Sequence, residues 1–181
     1  MKHTIRLTDQ QTPCYQPAYR IADAMCDPVC DELRDVERRG IIEYDPHATW
    51  NLPLVIVKKP GGGLRLCTNF IQLNKRTVAE PYIMTNTMEL LNKVAGAKYL
   101  TRLDMTKAYF QLKLDPQSQR YTSFQTPFGT YKYLRMPMGL VNGGATLQRL
   151  MDHVLRGAHQ YADKLLAVSY THLTLPTNRE V

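Results

Sequence analysis

From Asp27 onward the apolar positions of DPVCDELRDVERRG fall three or four residues apart, at Val29, Leu33 and Val36. That spacing lines one face of a helix. Asp27 reads as its N-cap, Pro28 as its first turn and Gly40 as its stop. In LPLVIVKKPGGGLRLCTNF the period shortens to that of strands, and two apolar, β-branched runs flank a Pro-Gly turn. The pattern predicts a hairpin of residues 54–58 and 64–68. TNTMELLNKVAG then reads as a short capped helix ending at Gly96, followed by a strand over 99–103. QLKL and YTSFQTPFGTYKYLRM supply three further strand-like pieces, the last two joined by a turn at Pro127, Phe128 and Gly129. GGATLQRLMDHVLRG returns to helical spacing, with Leu147, Leu150, Met151, Val154 and Leu155 on one stripe and Gly157 as the cap. Residues 1–28 contain Pro13, Pro17 and Pro28 amid mixed polarity and predict an irregular, extended lead-in. The order helix, hairpin, helix, strand, hairpin, helix is that of an α+β layer fold, without internal repeat or low-complexity segment.

Composition narrows the class. With 181 residues, 44% of them hydrophobic, the chain suffices for one sizeable core, hence one domain or part of one. A formal charge of +7 and a pI near 9.3 favour a polyanionic partner, of which nucleic acid is the commonest. Of the four cysteines only Cys26 and Cys30 are close in sequence, and no second pair or histidine cluster accompanies them as a zinc site requires. Reduced thiols are expected. No apolar run reaches the ~18 residues of a membrane span, and Met1 is followed by the polar KHTIRLTDQQ. The expected location is intracellular, without a membrane partner.

The candidate chemistry begins in TRLDMTKAYFQL, residues 101–112, where Asp104 falls at the exit of the expected strand. Such an aspartate ordinarily forms a turn or caps a helix. Delivered to a sheet edge, with Lys58, Lys59 and Arg65 clustered on a hairpin, it also suits Mg²⁺ and a triphosphate. Basic residues at a hairpin tip are by default solvated surface, and Tyr109 and Phe110 by default core aromatics. Two-metal phosphoryl transfer holds its ions about 4 Å apart with several carboxylates. Asp104 therefore needs partners.

The runs VIVKKPGGGLRLC, QLNKRT, LTRLDMTKAYFQLKL and TSFQTPFGTYKYLRMPMGLVNGGATLQRLMDHVL occur in this order. Together they resemble the fingers and palm of a reverse transcriptase, most similar to those of Ty3/gypsy-type LTR retrotransposons, over residues 1–163. The resemblance implies the fingers and part of the palm of a right-hand polymerase, an antiparallel palm sheet packed on helices. It implies an RNA-directed DNA polymerase that adds deoxynucleotides to a primer on an RNA or DNA template, with two Mg²⁺ ions or Mn²⁺ in their place. By the same resemblance Asp104 is a metal ligand, with the backbone carbonyl of Met105 beside it. Lys59, or Lys58 in its stead, and Arg65 hold the incoming triphosphate, which the amides of Lys107 and Ala108 also reach. Tyr109 lies beneath the sugar and excludes a 2′-hydroxyl, while Pro137, Met138 and Gly139 line the nucleotide and template pocket. The family further implies the cytoplasm or a virus-like particle as the place of action.

The sequence departs from the family pattern in three places. NFIQLN carries Asn69 and Ile71 where an acid and an arginine are usual, and losing both partners leaves no charge unpaired. Gly143-Gly144 stands where Ala-Pro is common. Where Tyr-x-Asp-Asp is expected, shortly after QYAD, the chain reads KLLAVSYTHLTLPTNREV, and its only acids beyond His159 are Asp163 and Glu180. VSYTHLTLPT matches one translated frame of a transposase-end sequencing adapter. Residues 164–181 are therefore expected to be a non-homologous tail, and the chain as written to be inactive. Two rival readings are a non-catalytic nucleic-acid-binding module derived from a reverse transcriptase and an RNA-dependent RNA polymerase palm. Tyr109 argues against the second, since an RNA polymerase must admit the 2′-hydroxyl.

Overall fold

A 3-10 turn, Asp23–Met25, runs directly into helix α1, Cys26–Arg38, so the cap position belongs to Met25 and not to the expected Asp27. Asp27 lies in the first turn, where its charge still favours the amino end of the helix dipole. Val29 and Leu33 are buried as their spacing requires, and Gly40 ends the helix with φ +62°. The computed structural model describes residues 1–9, 12–59, 62–81, 92, 95, 98 and 104–156. Two compact units divide the chain: Met1–Ala79 with Tyr109–Gly143, and Glu80–Ala108 with Gly144–Val181.

The first unit is organised by a five-stranded sheet of order β2-β7-β6-β3-β4, formed by β2 Ile42–Tyr44, β3 Leu52–Lys58, β4 Leu64–Thr68, β6 Phe124–Thr126 and β7 Gly129–Tyr133. Its pairings are antiparallel except β3 with β6, which run parallel. The β3–β4 hairpin has the expected register, from Leu54 opposite Thr68 to Lys58 opposite Leu64. Pro53 lacks an amide hydrogen, which excludes it from donating to the ladder, but its carbonyl accepts the Asn69 amide at 2.9 Å. The core gathers aromatic rings: Tyr133 lies 5.2 Å from Phe124, 6.2 Å from Phe70 and 6.5 Å from Phe110 between centroids. Leu52, Leu73, Phe124 and Met136 are almost wholly buried, each stabilising the fold by about 1.5–3 kcal/mol relative to exposure.

The described part of residues 1–22 is largely irregular, as expected, but its opening stretch docks with the alternation of a strand. In HTIRL the alternate residues His3, Ile5 and Leu7 are buried, the period of a strand. Strand β1, Lys2–His3, pairs in parallel with β5, Lys113–Leu114, and isolated bridges join Leu7 to Thr77 and Tyr15 to Asn51. Short helices also escape the apolar pattern, among them two on either side of the domain's middle. One is α2, Ile71–Lys75, and the other Pro116–Gln119, where Asp115 accepts the Gln117 amide at 3.2 Å and Pro116 occupies the first turn. The expected strand through YTSF begins only at Phe124, because Arg120–Thr122 closes a 3-10 turn.

In the second unit, Gly143–Leu155 extends as the expected helix from the boundary, and Leu147 is buried while Val154 is 60% exposed. Arg149 Nη1 donates to Glu80 Oε2 at 2.7 Å. The expected helix of 85–96 and strand of 99–103 lie outside the described residues apart from positions 92 and 95, as do the Gly157 cap and the tail. Among the described residues no helix is long and apolar enough to cross a membrane.

Candidate active site

Strand parity sorts the basic residues of the hairpin. Lys58 pairs with Leu64 and shares the face of Leu54, which is buried, whereas Arg65 pairs with Val57 on the opposite face. Continuing the alternation by one residue puts Lys59 on the face of Arg65. The Lys59 amide donates to the Gly63 carbonyl at 3.1 Å, and Gly62 and Gly63 take φ +87° and +80°, values that side-chain-bearing residues rarely adopt. All three cations are exposed. Burial pushes the Cys67 thiol up, while the nearby Arg65 charge works the other way with less effect. A neutral thiol therefore neighbours the cations.

Tyr109 is 7% exposed and belongs to the four-residue helix Ala108–Gln111, here α3. Arg135 holds the far end of that helix: its Nη1 donates to the carbonyls of Phe110 at 3.2 Å and Gln111 at 3.4 Å. Met136 adds a backbone bond to the Leu112 carbonyl at 2.8 Å. Immediately after, Pro137 is buried, Met138 is 43% exposed, and Gly139 takes φ +92°. Asn74 on α2 spans this turn with both ends of its amide. Nδ2 donates to the Gly139 carbonyl at 2.7 Å, and Oδ1 accepts the Val141 amide at 3.0 Å. Asn142 Nδ2 donates to the Val78 carbonyl at 2.8 Å. The segment is thereby tied at three successive points.

Asn69, which replaces an acid of the expected pattern, uses Oδ1 to accept the Ile71 amide at 3.0 Å, an Asx turn that starts α2. Burial pushes the Tyr133 hydroxyl up to about 12, opposed by its hydrogen bond to Thr68 Oγ1 at 3.1 Å.

Asp104, Met105, Lys107 and Ala108 belong to the second unit. Asp104 and Lys107 are exposed, and Lys107 takes φ +49°, a left-handed conformation unusual for a residue with a side chain. Among the described residues no three histidine, cysteine or acidic side chains group so as to hold a metal ion. One carboxylate does not hold two dications, so the donor set described is incomplete for the two-metal site of the expectation.

Residues 57–175 match the family model for reverse transcriptase (RNA-dependent DNA polymerase). The chain belongs to the reverse transcriptase family. It is homologous to the retrovirus-related Pol polyproteins of two Drosophila melanogaster transposons. To that of transposon 297 it is 32% identical over 161 residues, covering 86% of this chain and 15% of the relative. To that of gypsy it is 33% identical over 159 residues, covering 84% and 15%. An RNA-directed DNA polymerase homolog of Oenothera berteroana is 30% identical over 114 residues, covering 63% of this chain and 78% of the relative. The fold matches the crystal structure of prototype foamy virus protease-reverse transcriptase with a TM-score of 0.75 at 23% identity, over 86% of this chain and 21% of that one. The reverse transcriptase domain thus spans about 15% of the length of the Pol polyproteins it matches.

Within this reverse transcriptase domain, the residues that the sequence patterns did not single out are Asn74 and Arg135. Neither belongs to a periodic apolar stripe, and each acts on backbone groups 65 and 25 positions away along the chain. The only local signal is a polar residue set directly against an apolar run, as in QLN and LRM.

Proposed function

We propose that this domain is the fingers and part of the palm of a Ty3/gypsy-type retrotransposon polymerase, which extends a primer with deoxynucleoside triphosphates on an RNA or DNA template. The observation that carries the reading is the nucleotide-side arrangement in the first unit: Tyr109 on a helix held by Arg135, next to a Pro137-Met138-Gly139 turn clamped by Asn74. A ring carried on a helix whose far end is anchored is suited to reading the shape of a sugar. Lys59 and Arg65, on one face by parity, bind the triphosphate as an ammonium and a guanidinium, Arg65 through a planar fork that suits phosphate oxygens. Lys58 stands on the other face and serves as outer electrostatic support. The amides of Lys107 and Ala108 donate to the same phosphates, and Pro137, Met138 and Gly139 line the base and template.

Asp104 and the Met105 carbonyl supply one part of a Mg²⁺ or Mn²⁺ site, and carboxylates beyond the described residues complete it in the full-length polymerase. When bound there, the metal ions lower the barrier to attack of the primer 3′-hydroxyl on the α-phosphate. The domain's own residues bind the nucleotide, orient it and exclude the 2′-hydroxyl. Its place of action is the cytoplasm or a virus-like particle.

The decisive test uses the full-length polymerase carrying this segment. Asp104→Asn should abolish primer extension while leaving template-primer binding, and Tyr109→Ala should admit ribonucleotides. Extension that survives Asp104→Asn would remove the metal assignment. Sugar selection unchanged by Tyr109→Ala would remove the gate. We also propose that residues 164–181 are foreign to the polymerase, and that the chain as written binds nucleic acid without extending it. Reading the source gene past codon 163 tests the first point: a Tyr-x-Asp-Asp codon series supports a foreign tail, whereas VSYTHLTLPTNREV in the gene itself overturns it and leaves the binding module standing.

A further inference from the structure

The ring of Tyr109 has Gly143 directly beside it. A Cβ built on Gly143 would stand 3.4 Å from Cε1 and 3.8 Å from Cδ1 of that ring, and 3.7 Å from Leu140 Cβ. Those are van der Waals distances. Gly139 sits at φ +92°, but Gly143 is not among the positive-φ residues of the domain. The backbone at 143 therefore accepts a side chain without strain, and the glycine leaves a methyl-sized gap at the ring edge that its conformation does not demand. Meanwhile Arg135 and Met136 hold the backbone of α3 and the residue after it.

We propose that Gly143 is a specificity-determining residue for sugar selection. The missing Cβ lets the Tyr109 ring give way when a 2′-hydroxyl presses on it, so a polymerase carrying this segment tolerates ribonucleotides more than one with a filled gap. The inference rests on Tyr109 lying beneath the sugar. Its substrate class is therefore nucleoside triphosphates with a substituent at the 2′ position.

The experiment measures kcat/KM for a single incorporation of dTTP and of UTP by the full-length polymerase, in the parent and in Gly143→Ala. The preference for dTTP should rise on the order of tenfold, the low end of what one methylene decides in a binding pocket, and through the KM for UTP. Gly143→Ser fills the same gap and should do the same, which covers a poorly folding alanine variant. In a Tyr109→Ala background the effect of Gly143→Ala should vanish, because there is no ring left to support, and a merely structural change would persist. A preference unchanged or lowered by both gap-filling variants overturns the inference. If Tyr109→Ala admits UTP while Gly143→Ala changes nothing, only the role of Gly143 fails. If Tyr109→Ala does not admit UTP, the sugar gate itself fails and this inference with it.

Discussion

At the tip of the β3–β4 hairpin, Lys58, Lys59 and Arg65 stand in solvent on little more than a backbone ladder. Between Arg135 and Gly143, by contrast, side chains and backbone tie the chain to Phe110, Gln111, Leu112, Asn74 and Val78 in turn. The two regions carry candidate contacts to different parts of one nucleotide. Phosphate recognition depends on charge and reach, which tolerate movement of a side chain by an ångström or more. Recognition of a sugar and base depends on shape, and shape is lost by the same displacement. The difference in anchoring follows the difference in chemistry.

The largest expected effect lies at the hairpin root, where Thr68 meets Tyr133. Because burial raises the folded-state value of Tyr133 to about 12, the neutral hydroxyl is favoured by folding. The contribution is fully present below pH ~10 and is lost as pH rises from there toward about 12, a change of roughly 2–3 kcal/mol by proton linkage. Denaturant unfolding across that window should show the decline in the parent and a flatter profile in Tyr133→Phe. Equal slopes would mean that Tyr133 is not the buried anchor.

Next in size is Asn74→Ala, which strips the Val141 amide and the Gly139 carbonyl of their partner and should cost about 2 kcal/mol. Hydrogen exchange at Val141 should quicken by more than that of β3, or the clamp is not what holds the turn. Gly139→Ala should cost about 1–2 kcal/mol, since alanine resists the positive φ of +92° there. Smallest of all, Lys59→Ala with Arg65→Ala should leave unfolding within about 0.5 kcal/mol of the parent. Inorganic tripolyphosphate should nevertheless bind more weakly and with a shallower salt dependence. A stability loss like that of Asn74→Ala at these cations would erase the contrast between the regions.

The same contrast governs what could be read from the sequence. Elements written in local pattern were legible: α1 from Val29 and Leu33, the hairpin from its two runs and glycine turn, and the helix of Gly143–Leu155 from its apolar stripe. The hairpin cations were legible too, because their position follows from register alone. The clamp was not. Asn74 is one polar residue in a five-residue helix, and its meaning lies 65 residues away. The parity that assigns Lys59 to the face of Arg65 likewise needed the observed pairing of Val57 with Arg65. The irregular reading of residues 1–28 missed the docked opening stretch because three prolines and many polar residues outweighed a strand period only five residues long, His3 to Leu7.

That short period has a consequence for how the chain comes together during synthesis. Lys2 and His3 pair with Lys113 and Leu114, the Ile5 amide donates to Ser118 Oγ at 2.9 Å, and Leu7 bridges to Thr77. At the ~5–20 residues per second of translation, this strap leaves the ribosome several seconds or more before its parallel partner exists. Until then only its Leu7 end, beside Thr77, has a partner. The β3–β4 hairpin and α1 can form from neighbours in sequence, but the strap closes only after residue 118 has emerged, through contacts of high sequence separation that form slowly. The opening residues are then among the last to settle.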